Sequence, residues 1–158
     1  MQKVIIVLLF ILVLISCKNS QTMSSKNDTN TYAFRLKPGQ DLKLELEKIV
    51  KEKNIAAGWV ATCVGSLTNY NIRFANQPNG ATGIGHFEIV SLVGTLSTNG
   101  SHIHISVSDS SGATIGGHLL QGCTVYTTAE VVIQSSSSFI FKREKVGSTA
   151  WEELQVVE

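Results

Sequence analysis

The chemistry in this chain gathers between residues 102 and 118. In Ser101-His102-Ile103-His104-Ile105-Ser106-Val107-Ser108 polar and apolar residues alternate. That is the period of a half-buried strand, so His102, His104, Ser106 and Ser108 share one face while Ile103, Ile105 and Val107 turn to the core. The following Asp109-Ser110-Ser111-Gly112 suits a hairpin with a three-residue loop that ends on a left-handed glycine. Such a loop sets residue 109 opposite 113, and therefore His104 opposite His118 on the same face; a two-residue loop would send His118 to the core side. Three imidazoles converging from paired strands form a candidate divalent-metal site. Zinc suits the nitrogen donors, with a fourth position for water, a carboxylate or a residue of another subunit. The alternative is a polar sheet face whose histidines are hydrogen-bonded at a subunit contact. Gly116-Gly117 removes two side chains just before His118 and lets another backbone or a ligand come close.

Three further residues are possible ligand or ion-pair groups: Arg73, Glu130 and Asp109. Glu130 interrupts the apolar run Val125 to Ile133, where an unpaired carboxylate is costly, so it should have a partner such as Arg73 or a histidine. A zinc-dependent hydrolase or lyase would need Glu130 or Asp109 within reach of a metal-bound water as general base. Gly83-Ile84-Gly85 is followed by neither a third glycine nor a helix, so it is no nucleotide loop. Ser66, Ser106 and Ser108 lack a nucleophile elbow.

The elements that must carry these residues are mostly strands. Thr31 to Lys37 alternates, and Pro38-Gly39 ends it. Asp41 can cap a helix over Leu42 to Lys53, in which Leu42, Leu46, Ile49 and Val50 fall on one face and Glu47 pairs with Lys51 on the other. Strands are expected at 57–64, 69–75, 86–96, 102–108, 113–120, 124–133, 139–143 and 153–157, with 77–85 and 135–138 as exposed loops. One amphipathic helix against eight or nine strands is an α+β domain, the helix covering a mostly antiparallel sheet or open barrel.

The N-terminus carries an address. Met1-Gln2-Lys3 precedes twelve apolar residues, Val4 to Ile15, a cationic n-region and an h-region too short to span a bilayer stably. Leu14-Ile15-Ser16-Cys17 resembles the lipobox of bacterial lipoproteins, so residues 1–16 are expected to be a signal peptide and Cys17 the lipidated residue. The protein is then exported and held on a membrane by its acyl chains, ordinary secretion being the alternative. Residues 17–30 read as a polar tether and 31–158 as the domain. Cys63 and Cys123 remain, each in an apolar run, able to pair after export or to pack as small hydrophobes. From residue 17 onward 12 Lys and Arg balance 12 Asp and Glu. A neutral chain lacks the basic face that drives nucleic-acid binding, so no nucleic-acid partner is expected.

With the histidines in place, a longer pattern emerges. Gly116-Gly117-His118-Leu119, Gly122-Cys123-Thr124-Val125 and Thr128-Ala129-Glu130-Val131 follow Gly65-Ser66-Leu67, Arg73, Gly94-Thr95-Leu96, His102-Ile103-His104, Asp109 and Gly112. In that order they resemble the PPC domain, the plant and prokaryote conserved domain, over roughly residues 31–156. The resemblance implies an α+β homotrimer with the histidine-bearing strands near subunit contacts. In plants such domains accompany AT-hooks in DNA-binding proteins; no Arg-Gly-Arg-Pro occurs here, so that activity does not carry over. The expected function is an exported trimeric binding or interaction module with a histidine-based site for a divalent metal or small anion, the hydrolase or lyase and the DNA-binding protein being the alternatives.

Overall fold

The computed structural model describes residues 28–158. The expected signal peptide (residues 1–16), Cys17 and the expected tether up to residue 27 lie outside the described residues. The chain runs β1 (Thr29–Leu36), α1 (Leu42–Glu52), β2 (Gly58–Arg73), β3 (Ala81–Ser97), β4 (Gly100–Ser108), β5 (Thr114–Leu119), β6 (Thr124–Ser136), β7 (Ile140–Lys145) and β8 (Glu152–Val157). Six strands form one antiparallel sheet in the order β1-β6-β2-β3-β4-β5, and β7 and β8 form a separate hairpin. The sheet curls until β5 meets β2 again, through Ile72↔Leu119 and Arg73↔His118. This is the α+β architecture read from the sequence, with one helix and a mostly antiparallel sheet. No helix among the described residues is long and apolar enough to cross a membrane.

The helix forms where its apolar residues recur every turn and where Asp41 can start it. The Asp41 carboxylate accepts from Leu44 N at 3.0 Å and, with its other oxygen, from Gly122 N at 2.6 Å. One side chain thus satisfies an orphan amide of the first turn and ties the helix to the β5–β6 turn. Leu42, Leu46 and Val50 are buried and Ile49 packs beside them. They meet a core that includes Ile103, Ile105 and Val107 of β4 and Val131 and Ile133 of β6. Each fully buried leucine contributes roughly 1.5–3 kcal/mol. On the wet face the ion pairs are Lys43–Glu47 and Lys48–Glu45, so Glu47 takes the lysine one turn before it rather than Lys51.

Two expectations about loops are corrected. The two strands expected at 57–64 and 69–75 are one long strand, β2 over Gly58–Arg73, with register irregularities near Thr62, Leu67 and Asn69. Most of 77–85 belongs to β3, paired as Asn69↔Ile84, Tyr70↔Gly83 and Asn71↔Thr82. Ile84 is 93% exposed there, so this part of the strand has no core face and leaves no alternating pattern to read. β1 begins at Thr29, which places the last two residues of the expected tether in the sheet. Cys63 and Cys123 are both buried and unpaired. Burial pushes the Cys63 thiol up to about 12 and that of Cys123 to about 11, so both pack as inert hydrophobes.

Candidate metal centre

The β4–β5 hairpin is what brings the imidazoles together. Asp109 N donates to Ala113 O at 3.0 Å and Gly112 takes a φ of +82°, the three-residue loop with its left-handed glycine. From that turn the ladder runs Ser108↔Thr114, Val107↔Ile115, Ser106↔Gly116, Ile105↔Gly117 and His104↔His118. Ile103, Ile105 and Val107 are buried, whereas His102 and His118 are half-buried and His104 is exposed. The close approach at Gly117 comes from this same chain, because a Cβ there would stand 2.5 Å from Arg73 O of β2. Gly116 is likewise crowded by Ser106 Oγ at 2.6 Å and Ile105 O at 2.9 Å. These glycines let β2 and β4 close on β5 and set His118 over the same face as His102.

One candidate donor atom from each of His102, His104 and His118 lies within 4.8 Å of the other two. His102 Nε2 and His118 Nδ1 are 3.2 Å apart, with their rings nearly parallel, and His104 stands edge-on to both. Two nitrogens on a tetrahedral zinc at 2.0–2.1 Å are about 3.3 Å apart. The His102–His118 nitrogen pair already has that separation, and a donor atom of His104 lies within 4.8 Å of theirs. Three neutral imidazoles fit a divalent ion of borderline softness. Burial, then the Arg143 charge and that of His104, hold His102 below the ordinary histidine value; burial, then Arg73, does the same to His118. Both rings therefore keep lone pairs free for a metal at neutral pH. The fourth histidine, His86, is elsewhere, stacked on Tyr126 at 4.2 Å.

Of the other expected residues only Arg73 joins the triad, opposite His118 on β2. Asp109 belongs to the turn: its Oδ1 accepts from Ser111 N at 2.8 Å, Ser111 Oγ at 2.6 Å and Ala113 N at 3.1 Å. The Ser111 bonds, side chain first, hold its carboxyl below the usual carboxylate range. It sits five residues along β4 from His104, about 16 Å at strand rise. Glu130 is exposed on β6, opposite Arg35 and Val64, nine residues along β2 from Arg73. The expectation that it is buried beside Arg73 or a histidine fails because residue 130 faces outward on a strand whose other face supplies the core. The carboxylates that do share a cleft with His102 and His118 are Glu152 and Glu153, beside Arg143 and Trp151 of the β7–β8 region. The sequence pattern carries no signal for these, since it does not say where a short terminal hairpin docks.

The model of the Plants and Prokaryotes Conserved (PCC) domain matches residues 23–137. Two proteins of Synechococcus strains, each named bifunctional protein GlmU, are 42% identical over 125 residues, 79% of this chain and 20% of theirs. The chain thus spans about a fifth of the length of the curated relatives it matches. Among solved structures, a hypothetical protein of Salmonella cholerae-suis is 40% identical, with a TM-score of 0.80 over 82% of this chain and 94% of that one. A protein of Archaeoglobus fulgidus described as metal-containing is 25% identical, with a TM-score of 0.69 over 80% and 93%. A Bacteroides thetaiotaomicron protein described as a candidate DNA-binding protein is 23% identical, with a TM-score of 0.71 over 80% and 91%. That last likeness is one of fold.

Proposed function

The chain belongs to the Plants and Prokaryotes Conserved (PCC) domain family, and from that premise we propose that it is an exported, trimeric binding or interaction module whose three histidines hold a divalent metal, zinc first. The observation that carries this reading is the convergence of His102, His104 and His118 donor atoms within 4.8 Å. The metal-containing description of the Archaeoglobus relative points the same way. His102, His104 and His118 would be the protein's ligands, and a bound ion would supply Lewis acidity at the position they leave open. The imidazoles' part is to present lone pairs from the hairpin, with burial first, then Arg143 at His102 and Arg73 at His118, favouring the neutral rings.

Assembly is supported by an apolar outer face. Val64, Val90 and Val93 are 63%, 59% and 54% exposed, and Val93 is the cross-strand neighbour of His104, so a second copy seated there would also cover the triad. Asp109 and Glu130, the bases expected for a zinc-dependent hydrolase or lyase, stand away from the imidazoles, and the carboxylates that share their cleft are Glu152 and Glu153. The DNA-binding description of the Bacteroides relative is not adopted, because 12 cationic and 12 anionic residues balance from residue 17 onward and the phosphate backbone dominates such affinity. Elemental analysis of the purified protein together with its mass by light scattering tests the reading. About one zinc per chain in a trimer is expected; a metal-free monomer after zinc exposure refutes it.

Export and a lipid anchor rest on the Leu14-Ile15-Ser16-Cys17 run after twelve apolar residues. Cys17→Ala is expected to move the protein from the detergent phase to the aqueous one. Equal membrane retention of the variant would refute lipidation.

A further inference from the structure

A cleft of about 700 Å³ opens from His102 and His118 toward the β7–β8 hairpin. Lys43, Arg73, Arg143 and Lys145 line it against two carboxylates, Glu152 and Glu153. Lys43 is paired with Glu47, so Arg73, Arg143 and Lys145 stand against the two carboxylates and leave an excess of one positive charge in the recess. Ion pairing does not account for that gathering. Among the described residues the salt bridges are Lys43–Glu47 and Lys48–Glu45, so Arg73, Arg143 and Lys145 have no carboxylate partner there. Backbone carbonyls hold the guanidiniums instead: Arg73 Nη1 donates to Gln77 O at 3.4 Å, and Arg143 Nη2 donates to Glu152 O. A carbonyl orients a guanidinium without cancelling its charge, and each arginine has five donors, so most remain for a ligand.

The cleft also has a flat apolar wall. Trp151 is 56% exposed, with the Arg73 guanidinium 5.0 Å from its ring centroid. The Arg73 guanidinium lies over one face of this indole, which the core does not use, so an anion clamp adjoins a stacking surface at the indole's other face. The size lies within the range of small-molecule sites, roughly 300–1,000 Å³.

We propose that this cleft binds a small organic anion, its carboxylate or phosphate held by Arg73 and Arg143 and a planar ring attached to it resting on Trp151. The cleft adjoins the histidine triad, but recognition comes from the arginines and the indole, so the site does not depend on the triad holding an ion.

The full chain carrying Trp59→Phe leaves Trp151 as its one tryptophan and makes it the reporter. Its emission is titrated with benzoate and with adenosine 5′-monophosphate, each against its neutral counterpart, benzamide or adenosine, in EDTA and again after zinc loading. A saturable change is expected with at least one anion in EDTA, at least about tenfold tighter than with the neutral counterpart, as for one charge-assisted hydrogen bond. Benzoate against the nucleotide decides between carboxylate and phosphate. Arg73→Gln and Arg143→Gln should each weaken binding about tenfold, while Arg73→Lys, which keeps the charge, should restore part of it and show that the fold is intact. Equal binding of neutral and charged probes, or no saturation by either anion, overturns the proposal. So does binding confined to the zinc-loaded protein, which would make the ion the receptor. Binding in EDTA by a protein that takes up no zinc would sustain the cleft and refute the metal reading alone.

Discussion

At the scale of single residues, the half-buried imidazoles make a pH-dependent contribution whose sign is fixed by their surroundings. Burial with the nearby arginines lowers the folded-state values of His102 and His118, while in the unfolded chain both titrate near 6.5. Between the lowered values and about 6.5 the unfolded chain binds more protons, so stability rises with pH across that window. The metal-free protein is therefore expected to lose stability as pH falls from about 6.5 through the lowered values, and to change no further on their account below them. Urea midpoints at several pH values, compared with those of a His102→Gln, His118→Gln variant, measure this; parallel profiles for the two proteins would contradict it. Zinc should also stay bound somewhat below pH 6.5, because protons compete less well for depressed rings. His104 was legible with them, since a strand period of two and a recognisable loop fix both face and register. Glu130 was not: an outward carboxylate on a half-exposed strand and a buried one in an apolar run look alike in sequence.

At the scale of elements, the helix hangs on one carboxylate. Asp41 caps α1 through Leu44 N and reaches Gly122 N in the β5–β6 turn, so Asp41→Ala removes a cap and leaves an amide of that turn without its partner. Loss of an N-cap costs about 0.5–2 kcal/mol, and the second bond places Asp41→Ala toward the upper end of that range. Asp41→Asn, which can still accept from Leu44 N, should recover part of the loss in denaturant unfolding; equal losses for both would mean that capping is not the cause. The cap and the Leu42, Leu46 and Val50 face were readable because helix start signals are local. β3 was not readable over 81–85 because Gly83 and the exposed Ile84 are held in the sheet by their pairing with Tyr70 and Asn69 of β2, which depends on where β2 lies. The β7–β8 hairpin alternates well enough to be recognised as strands, but its role beside the histidines depends on docking, so Arg143 and Trp151 carried no signal of a site.

At the scale of the whole molecule, the outer sheet face decides whether the domain acts alone. Ser66 pairs with Glu88 and Trp59 with Thr95, and the same register sets Val64 beside Val90 and places Val93 near residue 61. A monomer would leave these valines in water although the opposite face of the sheet is covered by α1. A second copy is the occupant that would cover the patch and also the exposed His104, cross-strand from Val93. Val64→Lys discriminates between the two states. On a free surface a lysine at a 63% exposed position changes stability by about 0.5 kcal/mol or less. Within a packed contact it places an unpaired charge out of water, which costs several kcal/mol per copy. The variant is therefore expected to keep its helix and strand signals while its mass in solution falls from three copies to one, and to bind zinc more weakly if a neighbouring copy shields the triad. A variant that stays trimeric would put the contact elsewhere, and a wild-type protein that is already monomeric would leave the valines without a partner and remove the reason for coupling assembly to the metal.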